Sequence, residues 1–172
     1  MGSIKIAGKN IVTQSGSDEP TISSNVVFPS GIMCGFTETT TTPTASQGLD
    51  TSYTTLTGSS VDYTPVTGSS FVVYQYSFVS SCKDNNPIIL YQSYYDGSVI
   101  ANTGEGTQST WGDGNSGMGR QHHTIVLPSW SGSKNLHIKY KVYNTSSEAR
   151  IHYAVYGADS YQRIYRTTYS VM

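Results

Sequence analysis

Phe71-Val72-Val73-Tyr74-Gln75-Tyr76-Ser77-Phe78-Val79 is the stretch that decides the fold class. Successive side chains of a strand point to opposite faces, so Val72, Tyr74, Tyr76 and Phe78 share one face. Val73, Gln75, Ser77 and Val79 share the other, which suits a strand with one core face and one partly covered face. Outward from it, Lys83-Asp84-Asn85-Asn86-Pro87 reads as a loop, and Ile88 to Tyr95 returns as a strand ending at Asp96-Gly97, a strong turn dipeptide. From Asn102 to Gly119 the chain carries six glycines and no apolar period, the longest expected loop.

The last third is more regular. Ile125-Val126-Leu127 reads as a short strand before Pro128. Leu136 to Tyr143 alternates strictly, with Leu136, Ile138, Tyr140 and Val142 inward, and Ile151 to Tyr156 repeats the scheme. The two segments are expected to pair as a hairpin, Val142 opposite Ile151, Tyr140 opposite Tyr153 and Ile138 opposite Val155. That register alone puts the apolar pairs on one face. It places His137 and His152 outward beside Lys139 and Lys141, and it sets the outer face at a subunit seam with Lys139 or Lys141 near an earlier carboxylate. Tyr161 to Val171 closes the sheet. Upstream, Ser52 to Thr57 and Val61 to Val66 are short strands around Gly58-Ser59-Ser60, and Thr39 to Thr42 is a polar connection or edge.

Composition agrees with strands. Of 172 residues, 12% are charged, about half the usual share, while Gly is 17 and Tyr 14. Helices ordinarily carry Glu, Lys and Ala on their wet face, and no segment has a helical period. Roughly eight strands separated by Gly, Pro, Asn and Asp turns indicate an all-β fold, an antiparallel β-sandwich of jelly-roll kind. Residues 1–31 form a small polar leader, with a hairpin expected around Gly8-Lys9-Asn10 and a short apolar strand, Asn25 to Phe28, stopped at Pro29. Residues 32–172 form the body.

A net charge of −1 excludes a strongly basic nucleic-acid binder. Its distribution is uneven: 3 basic and 9 acidic residues precede Arg120, and 7 basic and 2 acidic follow from it. Strands of opposite sign pairing inside the fold, subunit faces that attract one another, or a basic face meeting an anionic surface polymer each account for that. Cys34 and Cys82 lack metal-ligand spacing and read as free thiols. Neither an export signal nor a membrane span is expected, and Ile6 stands where a myristoylation signal needs Ser or Thr. Asn144-Thr145-Ser146 is a glycosylation triplet only in a secreted eukaryotic chain.

No reaction is legible. His122 and His123 are neighbours and point to opposite faces of a strand, a poor bidentate metal site. Asp113 to Gly117 has a calcium-loop look, but Thr124 stands where the bidentate Glu belongs. Asp96, Glu105 and Asp113 could supply a carboxylate pair only if loops converge. No cofactor is expected, and no enzyme. Tyr94, Tyr95, Trp111 and Trp130, in or beside expected loops, are the candidates for stacking on a receptor glycan or for plugging the sandwich ends.

The leader with its hairpin, the Phe28-Pro29-Ser30-Gly31-Ile32 turn, the Tyr140-Lys141-Val142 strand and the closing Arg166-Thr167-Thr168-Tyr169-Ser170-Val171 together resemble short virion proteins of tailed phages, particularly marine cyanophages. Ser30 and Ile32 stand where that group usually carries Ala and His. The resemblance implies a trimeric jelly-roll head behind a brief N-terminal attachment element, in a tail-fibre-like protein or a capsid appendage. It implies a virion location after assembly in the host cytoplasm, and contact with other virion proteins through residues 1–31. A capsid decoration or head-fibre protein and a free-standing carbohydrate-binding module are the alternatives.

Overall fold

The computed structural model of the protein describes residues 2–6, 9–14, 16, 21–22, 30–48, 51–83, 88–100, 106–109, 117–142, 148–154, 160–161 and 163–172. The chain divides between Ile32 and Met33 into two compact units. In the first, β1 (Gly2–Ile6) and β2 (Lys9–Gln14) form an antiparallel hairpin, and β3 (Thr21–Ile22) adds to the other edge of β2. Ile6 pairs with Lys9, so Lys9 and Asn10 belong to the returning strand and not to the turn. Asn25 to Phe28 lie outside the described residues.

The second unit runs through β4 (Met33–Thr41), β5 (Thr54–Thr55), β6 (Val61–Tyr63), β7 (Phe71–Lys83), β8 (Ile88–Tyr95), β9 (Ser98–Val99) and β10 (Gly106–Ser109). It continues through β11 (Gly117–Pro128), β12 (Lys134–Val142), β13 (Glu148–Ile151), β14 (Tyr153–Ala154), β15 (Ser160–Tyr161) and β16 (Ile164–Val171). One sheet has the order β11-β7-β16-β4, with β13 also on β7. The other has the order β10-β8-β12-β5, with β6 also on β12 and β9 on β8. Every pairing is antiparallel. From β7 onward the long strands alternate between the sheets in the winding of a jelly roll, and β4, the Thr-rich stretch before Pro43, is its edge strand.

The core is the set of inward residues that period-2 alternation selects. Val72, Tyr74, Tyr76 and Phe78 of β7 face Ile89 and Tyr91 of β8 and Leu136, Ile138, Tyr140 and Val142 of β12, all buried. Two of the β7 hydroxyls find carbonyl partners at the sandwich end: Tyr74 Oη donates to the Ser59 carbonyl (2.6 Å), and Tyr76 Oη to that of Thr57 (2.6 Å). Arg166 fastens the same turn from β16, donating to the carbonyls of Gly58 (3.2 Å) and Ser60 and to Thr39 Oγ1 (3.0 Å). A buried phenol or guanidinium without such partners would cost more than its packing returns. At Asp96-Gly97 both φ angles are positive, 47° and 81°, the geometry a two-residue hairpin turn requires.

Three expectations are corrected. First, β12 and the segment after it do not form a hairpin: β8 occupies one edge of β12 and β5 with β6 the other, so no edge is free. The chain crosses to the other sheet instead, where β13 fills the edge of β7 beyond β16, Ile151 opposite Ser80. Second, His152 is buried, not outward. Its φ of 66° breaks the alternation after Ile151, and both residues are 0% exposed. Third, residues 102–119 are not one loop, because β10 pairs with β8 and β11 starts at Gly117. The strand expected only at Ile125 to Leu127 is therefore 12 residues long.

Cys34 is a free thiol whose Sγ contacts the Ser170 carbonyl (3.5 Å). Cys34 pairs with Ser170 and Ser170 with Val72, so Cys82 lies ten residues farther along β7. At the rise of a strand that is about 33 Å, too far for a disulfide between them.

Candidate binding surfaces

The outer face of the β11-β7-β16-β4 sheet is built in rows set by the strand registers. Phe71, Val171 and Met33 form one row and Val126, Val73 and Tyr169 the next, with the Phe36 ring stacked on Tyr169 at 6.3 Å. Then the chemistry changes. Thr124, Gln75, Thr167 and Glu38 make the third row, His122, Ser77, Tyr165 and Thr40 the fourth, and Arg120 sits opposite Val79 beyond them. The face is thus half apolar and half polar.

Met33 and Phe36 share this face only because the strand bulges between them. The β4–β16 register shifts between Thr168 and Ser170, and Gly35 sits there with a φ of 60°. A Cβ at Gly35 would lie 2.7 Å from Val66 Cγ2 and 2.8 Å from Tyr63 Oη, which donates to the Gly35 carbonyl (2.9 Å). Glycine is required for both reasons. Among the described residues of the second unit, the exposed large apolar side chains are Met33 (62%), Phe36 (58%), Val126 (58%), Phe71 (49%), Val99 (48%) and Tyr165 (39%). All but Val99 lie on this one face.

A groove of about 350 Å³ occupies the polar half, between Gln75, Ser77, Arg120, His122, Tyr165 and Thr167. Arg120 crosses its end. Nη1 donates to Ser77 Oγ (3.3 Å) and to the Arg163 carbonyl (3.4 Å), and the guanidinium carbon lies 5.3 Å from the Tyr165 ring centroid. Ser77 and Val79, outward residues of β7, are nonetheless buried, and Arg120 donates to the first and stands opposite the second. His122 projects outward here while His123 turns inward, as adjacent residues of a strand must.

The opposite face of the sandwich carries cations on rings. His137 stacks on Tyr94 at 5.0 Å, Lys139 Nζ lies 4.4 Å from the Tyr94 centroid, and Lys141 Nζ lies 4.5 Å from that of Tyr53. Among the described residues, aromatic faces receive Lys139 and Lys141. The ion pair among the described residues is Lys134 with Asp96, 2.5 Å, from the basic and acidic parts of the chain respectively. Burial and the Lys139 charge lower the pKa of His137.

Of the residues expected to form a receptor cluster, Tyr95 and Trp130 meet each other but part from Tyr94. Tyr94 lies on that outer face, whereas Tyr95, next in β8, turns inward against Trp130, 5.1 Å between centroids. Trp130 also meets Tyr63 edge-on at 6.3 Å and donates from Nε1 to the Tyr63 carbonyl (3.2 Å). Tyr95 and Trp130 therefore plug the sandwich end. Trp111 lies outside the described residues, as do Glu105, Asp113 and the Asn144 triplet. Asp96 is committed to Lys134, and no His, Cys, Asp and Glu group among the described residues is arranged to hold a metal.

Inside the sandwich, His123 and His152 flank Phe78 at 5.8 and 5.9 Å, and His123 meets Tyr91 edge-on at 5.0 Å. Burial first, and the neighbouring His122 second, pull the His123 pKa down to about 4. Burial likewise pulls His152 down to about 4, against a smaller opposing pull from the Thr57 carbonyl, although neither His152 ring nitrogen has a well-formed hydrogen bond. Both rings are neutral at pH 7.

No family model and no curated protein matches the chain. What the arrangement offers is two structured outer faces, one apolar and polar by halves, the other cationic and aromatic.

Proposed function

We propose that this chain is a non-enzymatic structural appendage of a tailed-phage virion, tail-fibre-like, acting as a homotrimer. Its N-terminal strands attach to other virion proteins, and its jelly-roll body faces outward. The observation that carries the reading is the apolar half-face of Met33, Phe36, Phe71 and Val126 on a complete jelly roll. A contiguous apolar patch on a folded domain marks an association surface, and neighbouring copies of the chain around a three-fold axis are its occupants in this reading. The sequence resemblance supports the phage assignment. Localisation to the virion after assembly in the host cytoplasm, and adhesion to a host-surface glycan, belong to the same proposal. Capsid decoration is the variant of it that differs only in where the leader docks.

The test is incorporation. Purified particles should contain the intact chain, cryo-EM should place it on the tail or capsid surface, and deletion of residues 1–31 should abolish its incorporation. Particles lacking the protein would overturn the reading. The groove beside Tyr165 favours a second reading, a free-standing carbohydrate-binding module, which predicts a monomer that binds glycan and is absent from particles.

A further inference from the structure

Among the described residues, no carboxylate pairs with the cation on the polar half of the outer face. Arg120 is fixed at the groove by Ser77 Oγ, the Arg163 carbonyl and the Tyr165 ring. Those contacts engage one terminal nitrogen. None is a carboxylate, and the ion pair among the described residues lies elsewhere, between Lys134 and Asp96. Glu38 stands on the far edge strand opposite Thr167, three strands from Arg120. At the spacing of hydrogen-bonded strands that is about 14 Å across the sheet, and Arg120 lies four residues, about 13 Å, farther along it.

The rest of the lining selects the ligand. Gln75, Thr124 and Thr167 form one row of amide and hydroxyl groups, each able to donate and accept. Tyr165, 39% exposed, adds apolar ring surface beside them. One fixed guanidinium suits a singly charged carboxylate, whereas a nucleic acid or a phosphorylated ligand calls for several cations. A row of neutral hydrogen-bonding groups suits sugar hydroxyls, and a tyrosine ring suits the C–H face of a pyranose. The volume, about 350 Å³, is at the small end of ligand sites and fits one or two sugar units.

We propose that this groove binds a hexuronic acid unit of an acidic polysaccharide. Arg120 takes the carboxylate, the Gln75–Thr124–Thr167 row takes ring hydroxyls, and Tyr165 lies along the pyranose. Tyr94, Tyr95 and Trp130 take no part. The assignment concerns the purified protein and does not rest on the virion reading, so each can fail while the other stands.

The test is calorimetric or ligand-observed NMR titration of the full-length protein with trisaccharides of glucuronic, galacturonic and mannuronic acid, each beside its methyl ester. At least one acid should bind about 10-fold or more tightly than its ester, because esterification removes the charge and leaves the hydroxyls. Arg120→Gln should abolish that difference, and Tyr165→Ala should weaken acid and ester alike. Should Arg120→Gln fail to fold, the acid-to-ester ratio of the unaltered protein decides alone. Equal binding of acid and ester, no binding of any of the three acids at roughly 20 mM, a threshold weak for any specific site, or inorganic phosphate bound as tightly as the sugar acid would overturn the proposal.

Discussion

His152 packs edge-on against Phe78, centroids 5.9 Å apart at 76°, in the interior between the two sheets. It reaches that position because its φ of 66° ends the alternation of β13, while its N–H bonds the Val79 carbonyl (2.7 Å). A residue that sequence alternation assigns to the surface is thus one of the most buried groups of the molecule.

The consequence is acid sensitivity. His123 and His152 have native pKa values of about 4, below the ordinary 6.5, so between these values the unfolded chain binds more protons than the native one. The stabilisation is complete above pH 6.5, declines as pH falls, and is lost once pH passes below about 4. Each group contributes on the order of 3 kcal/mol at most. Urea denaturation between pH 7.5 and 4 should show this loss, and His152→Asn, which tolerates the positive φ, should flatten it. Equal pH slopes in the two proteins would refute the role of His152.

Gly35→Ala should destabilise the body by about 2–4 kcal/mol, combining left-handed backbone strain with the collision against Tyr63 and Val66. Gly68→Ala, at a φ of 86° with nothing within 4 Å of the added methyl, should cost only the strain, about 1 kcal/mol. Denaturant midpoints of the two variants measure the difference.

Arg166→Met keeps the stem and removes the fork over the 57–60 turn. Loss of its bonds to Gly58, Ser60 and Thr39 should cost about 2 kcal/mol and accelerate amide exchange of that turn. Arg166→Lys should recover little, since an ammonium cannot span the same carbonyls.

Phe36→Ser combined with Val126→Thr alters exposed positions, so stability of the fold should change by no more than about 0.5 kcal/mol per site. Self-association should weaken at least about 10-fold, as each side chain loses apolar area otherwise buried against a neighbouring copy. Dilution series in analytical ultracentrifugation read the change directly. An unchanged association constant would move the interface to another face.

Strands β7, β8 and β12 were legible because each has one face in the core, and alternation of Val72, Tyr74, Tyr76 and Phe78 or of Leu136, Ile138, Tyr140 and Val142 records that directly. The sandwich followed from their number and turns. Pairing was not legible: Ile151 could face Val142 by pattern, and only the occupation of both β12 edges sends it to Ser80. The make-up of the outer face was hidden for related reasons. Met33 and Phe36, three apart, share it only through the Gly35 bulge, and Arg120 and His122 belong to a strand whose glycine-rich start looks like loop. Tyr94 and Tyr95 read as one aromatic pair, although adjacent strand residues must part to opposite faces.

The central claim is that the apolar half-face joins copies of this chain into a homotrimer. Light scattering of the intact, purified protein at micromolar concentration tests it most directly. A native mass three times the chain's 18.6 kDa is the predicted result, and a monomer of 18.6 kDa would contradict it.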